Sequence, residues 1–122
     1  MSVTTQFFTL PAPMCCILNV ANASTSNTAP TQVYLSGATS VHITGNQVVT
    51  KYIFICDLMD GQQIVFKNNT GFTVAVSSTY FVPAAGIWTP FNTSFINING
   101  NSTLSLIFYI DQSSQNGILQ TF

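Results

Sequence analysis

The chain has 122 residues, of which 47% are apolar and only 4% charged, for a formal net charge of −1. Two lysines and no arginine can neither neutralise a phosphate backbone nor form a polybasic anchor, which excludes nucleic-acid binding and electrostatic attachment to membranes. Ten Phe, four Tyr, eleven Ile and ten Val argue against disorder, and the absence of Glu and scarcity of Lys argue against a helical bundle, leaving one all-β domain with a modest core.

Residues 1–13 read as an extended N-terminal arm, and 14–122 as the folded domain. The uncharged run from Phe7 to Ala21 has no Lys or Arg before it and is interrupted by Pro11 and Pro13, so an arm or first strand is expected rather than a signal peptide. No run of 18 apolar residues exists, and no membrane insertion is expected. Met14 to Ala21 reads as a buried strand, followed by a Ser/Thr/Asn loop that contains Pro30. Gln32 to Leu35 and Val41 to Thr44 are short strands, closed by Ser36-Gly37 and Gly45-Asn46. Val48 to Cys56 is apolar on both faces, as expected of a strand covered on two sides.

Further on, Gln63 to Lys67 and Phe72 to Val76 flank Asn68-Asn69-Thr70-Gly71, which predicts a β-hairpin. Tyr80 to Val82 is a short strand before the Pro83-Ala84-Ala85-Gly86 loop. Ser94 to Ile98 and Leu104 to Ile110 predict a second hairpin around Asn99-Gly100-Asn101-Ser102, and Gly117 to Phe122 a last strand. No repeat of fixed period stands out. Short strands separated by turn residues predict a single antiparallel β-sandwich, jelly-roll-like, of about eight short strands.

Groups suited to catalysis are scarce. His42 is the only residue whose ordinary pKa lies near neutrality; it alternates with Val41 and Ile43 and so is expected to point outward. With no Gly-x-Ser-x-Gly elbow, no catalytic residue and no enzyme are expected. Asp57 and Asp60 fit a turn in which carboxylates accept backbone N–H groups better than they fit a calcium site. Cys15, Cys16 and Cys56 have no Cys-x-x-Cys spacing; they are expected to be buried and reduced, with no metal and no cofactor. Four Asn-x-Ser/Thr sequons, at Asn22, Asn68, Asn92 and Asn101, exceed chance too little to decide anything. Sugar sites on β scaffolds combine loop amides with an aromatic plate, so Trp88, placed in a Pro- and Gly-containing loop near Asn92, is the candidate for such a plate.

The near absence of charge also bears on association. Little colloidal repulsion and uncharged strand edges favour a protein whose edges are covered by partners in an assembly. The segment DGQQIVFKNNTGF from Asp60 to Phe72, the following TVAV, and STLSLIFYI from Ser102 to Ile110 resemble a pattern in virion structural proteins, namely phage or viral fibre and capsid-decoration domains. The tryptophan that commonly follows the last strand there is missing here. The resemblance implies a β-sandwich without catalytic residues, a homo-oligomer with a trimer favoured, contacts with other capsid or tail proteins, and a location in the virion. An extracellular filament or adhesin subunit and a module binding surface glycans are the alternatives.

Overall fold

The computed structural model describes residues 15–82, 87–90, 95–110 and 117–122, and among these the chain is all β with no helix. The predicted arm, 1–13, lies outside the described residues. Ten strands form: β1 (Cys15–Asn19), β2 (Thr31–Val33), β3 (Ser40–Thr44), β4 (Lys51–Ile55), β5 (Gln63–Asn68), β6 (Val74–Val82), β7 (Ile87–Pro90), β8 (Ile96–Ile98), β9 (Thr103–Ile110) and β10 (Gly117–Thr121). One sheet has the order β1-β3-β5-β9-β10; the other runs β2-β4-β6-β7, with β8 also paired to β6.

From β1 to β6 the chain alternates between the two sheets. Within each sheet successive windings lie side by side in parallel: β1 with β3, β3 with β5, β2 with β4, and β4 with β6. In the first sheet each strand pairs with one 25 residues further on, so Cys16, Val41 and Phe66 share a row, as do Leu18, Ile43 and Asn68. In the second sheet the step is 22 to 23 residues. The expected antiparallel arrangement therefore holds only for the later strands, where β5–β9, β9–β10, β6–β7 and β6–β8 are antiparallel.

Both predicted hairpins are corrected by this winding. β5 and β6 belong to different sheets, and so do β8 and β9, although each pair is joined by an Asn/Gly turn. The turn residues permit a reversal of the chain but do not specify whether the strand returns beside its predecessor or crosses above the core. Here the inward residues decide. Val41, Ile43, Ile64, Phe66, Leu106 and Phe108 from one sheet meet Val33, Ile53, Ile55, Val74, Val76 and Ile98 from the other in a single buried cluster. Burial of such side chains contributes roughly 1.5–3 kcal/mol each, far more than the choice of turn. The predicted two-sided burial of β4 is found: Ile53 and Ile55 face the cluster, while Phe54 is also buried, at 4% exposure.

The crossings are held by polar side chains. Asn68 is buried at the end of β5; its Nδ2 donates to the carbonyls of Phe72 (2.8 Å), Ile98 (3.0 Å) and Asn99 (3.2 Å). Its Oδ1 accepts from the Thr70 amide (2.9 Å) and hydroxyl (2.6 Å). One amide thereby ties the β5–β6 arch to the β8–β9 arch. The arches also touch backbone to backbone, because a Cβ built on Gly100 would lie 2.5 Å from the carbonyl carbon of Gly71. Earlier in the winding, Lys51 is buried, and its Nζ donates to the carbonyls of Ala21 and Ala23 at 3.1 Å each. At the opposite side Asp57 accepts from the amides of Leu35 (2.9 Å) and Ser36 (2.8 Å), securing the turn at Ser36 and Gly37, both at positive φ. Asp60 accepts from the Ile110 amide at 2.8 Å. Both acids thus serve backbone amides, as expected, but those of segments 21, 22 and 50 residues away rather than of their own turn.

Candidate functional site

The arch from β3 to β4 (45–50) and the arch from β5 to β6 (69–73) are neighbours in consecutive windings, linked by the Asn69 amide donating to the Ile43 carbonyl at 2.9 Å. Between them opens a cavity of about 430 Å³ lined by residues 45–48 and 69–72. The residues that line it include Asn46, Gln47, Asn69, Thr70, Val48 and Phe72, and none is charged. Phe72 is 42% exposed, although its backbone carbonyl is held by both Asn68 and Thr70.

Gln47 is the anomaly of this wall. Both polar atoms of its side-chain amide are shut off from solvent and have no hydrogen-bond partner among the described residues. Asn68, one winding on, shows what a buried amide ordinarily requires, with both its nitrogen and its oxygen engaged. Leaving such a group unmet costs about 1–3 kcal/mol. Gln47→Leu keeps the approximate volume and removes the demand, so it is expected to stabilise the isolated protein by about 1 kcal/mol, read as a higher urea midpoint in equilibrium unfolding.

The sites named from sequence fall elsewhere. Trp88 stands not in a loop but in β7, its backbone paired with Phe81 of β6, and Asn92 lies outside the described residues. Gln47 was missed because it falls between a turn and a strand with nothing to single it out, and Phe72 because it reads as the first residue of a strand. An exposed aromatic directly after an Asn-Asn-Thr-Gly turn is the signal that could have found the second.

His42 stands between Ile17 and Lys67 in the register of the first sheet and is half-buried; Ile17 beside it is 75% exposed. Among the described residues no group of three or more His, Cys, Asp or Glu side chains could hold a metal ion.

The three cysteines are free thiols, but they are not all buried as expected: Cys15 is exposed, Cys16 half-buried and Cys56 buried. Adjacent residues of a strand face opposite ways, which puts Cys16 toward the core and Cys15 outward. Burial pushes the Cys56 thiol pKa up; hydrogen bonds with the Tyr34 phenol and the Val33 backbone draw it partly back, and the Asp57 charge adds to the rise. Burial, then Cys15 and Asp57, raise Cys16 likewise. Thiolate is the reactive form. Iodoacetamide at about pH 8 is therefore expected to modify Cys15 first, Cys16 more slowly, and Cys56 only on unfolding, as followed by peptide mass mapping.

Compared with known proteins, the chain matches no family model, no curated protein and no solved structure.

Proposed function

We propose that this protein is a non-enzymatic structural subunit of a virion, a capsid, decoration or fibre component that associates with copies of itself through β-rich interfaces. The observation that carries the reading is the first winding. Among the described residues β1 is paired only with β3, and β2 only with β4, so both sheets end in an open edge within the same winding. Beside these edges Ile17 is 75% and Tyr34 63% exposed. Such edges are templates for pairing with another chain, and natural monomers usually blunt them with charge or Pro. Lys and Arg number two in the whole chain, and neither β1 nor β2 contains one.

We read the two sheets around one core as a β-sandwich. A jelly-roll-like arrangement draws less support, because four of the eight ladders among the described residues are parallel. A trimer is the assembly favoured by the sequence resemblance, with a shell or tail protein as the further partner.

Sedimentation velocity over a concentration series tests the reading. The wild-type chain is expected to sediment as a defined oligomer, and Ile17→Lys to shift it toward smaller species by placing a charge beside the open edge. A folded wild-type chain that stays monomeric throughout the series, and does not bind purified particles, would overturn it.

A further inference from the structure

We infer that the cavity between the 45–50 and 69–73 arches is a binding site for a neutral sugar, a hexose or N-acetylhexosamine unit of a glycan. The inference stands apart from the structural-subunit reading, and either can fail without the other. Three observations lead to it. The cavity of about 430 Å³ falls at the smaller end of the size range of small-molecule pockets, which suits one or two sugar rings. Its lining holds no ionic side chain, so a phosphate or carboxylate ligand would find no countercharge, while a wholly apolar ligand would cover the exposed residues Asn46 and Asn69 without meeting their amides. A neutral polyol satisfies both conditions. Its hydroxyls donate and accept at once, matching amides that also do both, and its C–H face can lie on the exposed ring of Phe72.

The buried amide of Gln47 supplies the independent indication. In the free protein its nitrogen and oxygen have no partner among the described residues, yet the residue lines the cavity and is itself only half-buried. A change of side-chain rotamer turns that amide into the cavity, where sugar hydroxyls meet the demand. Binding thus recovers free energy that the isolated fold leaves unspent. The backbone at Phe72 is already ordered, because Asn68 Nδ2 and the Thr70 hydroxyl donate to its carbonyl at 2.8 and 2.9 Å.

The test uses the full chain on an array of neutral hexose and N-acetylhexosamine glycans with their sialylated counterparts, followed by titration of the retained glycan into 15N-labelled protein. Expected are retention of at least one neutral glycan and amide shifts centred on 45–48 and 69–72, with the Gln47 side-chain amide among the largest. Phe72→Ala and Gln47→Leu are each expected to weaken binding about tenfold or more, equivalent to about 1.4 kcal/mol. Gln47→Leu is the decisive variant, since its fold is expected to be at least as stable as the wild type. Retention of no neutral glycan, shifts centred elsewhere, wild-type affinity in Gln47→Leu, or preference for sialylated glycans would each overturn the assignment. So would a peptide, from a random library, that occupies the same residues more tightly than any glycan.

Discussion

Asn68→Ala is expected to destabilise the protein by about 3–4 kcal/mol, among the larger effects of a single substitution. The cost comes mostly from what is left behind. The carbonyls of Ile98 and Asn99 lose their donor, that of Phe72 keeps only the Thr70 hydroxyl, and the Thr70 amide loses its acceptor, with the Ile98 and Thr70 bonds buried. Equilibrium unfolding in urea reads the loss as a lower midpoint, and a change below about 1 kcal/mol would mean that water or a shifted arch replaces the amide. Asn68→Asp separates hydrogen bonding from shape. A carboxylate facing three carbonyls is disfavoured in the fold, which raises its folded pKa above the unfolded value of about 3.9. The sign follows: the variant is least impaired below that unfolded value and loses stability as pH rises through and beyond it.

Gly100→Ala is expected to cost about 2–3 kcal/mol for a different reason. The added methyl would stand 2.5 Å from the Gly71 carbonyl carbon, 2.6 Å from its oxygen and 2.8 Å from the Phe72 nitrogen. All three are backbone atoms, so no side chain can swing away, and the two arches must part. Parting them also lengthens the Asn68 bonds that span the same joint. The double variant Asn68→Ala, Gly100→Ala should therefore lose less than the two single losses added together, because the second change strikes a joint already opened. Strict additivity in urea unfolding would show that the two contacts act independently.

These two residues also mark where reading the sequence stops being sufficient. Alternation alone located most strands closely: β3, β5, β9 and β10 each begin within one residue of the expected position. It puts Ile64 and Phe66 on one face and Leu104, Leu106, Phe108 and Ile110 toward the core; Ile64, Phe66, Leu106 and Phe108 are buried, whereas Ile110 at the strand end is 38% exposed. It failed on connectivity. Asn68-Asn69-Thr70-Gly71 reads as a hairpin turn, whereas Asn68 occupies the same inward row as Leu18 and Ile43 and bonds with its amide to two arches. Nothing in the local composition distinguishes an asparagine that turns outward from one that holds a crossing. The parallel windings were equally hidden, since the residues 25 apart that share a row are as different as Cys16, Val41 and Phe66.

The candidate site was less legible than the fold. Its walls come from two arches more than twenty residues apart, and they meet only because successive windings stack. Phe72 was expected to share a face with Val74 and Val76, but β6 begins at Val74 and leaves the ring outside the core. Val48 and Val49 likewise precede β4 and are exposed, at 79% and 46%.

The uniform stride from β1 to β3 to β5 has a consequence for how such a body can change over time. A structure whose tiers contact mainly their immediate neighbours is modular along its axis. Duplicating one tier, with its inward pair of apolar residues and its crossing asparagine, would make the molecule taller while leaving the β9–β10 closure at one extremity and the first tier at the other as they are. Reach could then be adjusted by copying, without redesigning either terminus of the stack.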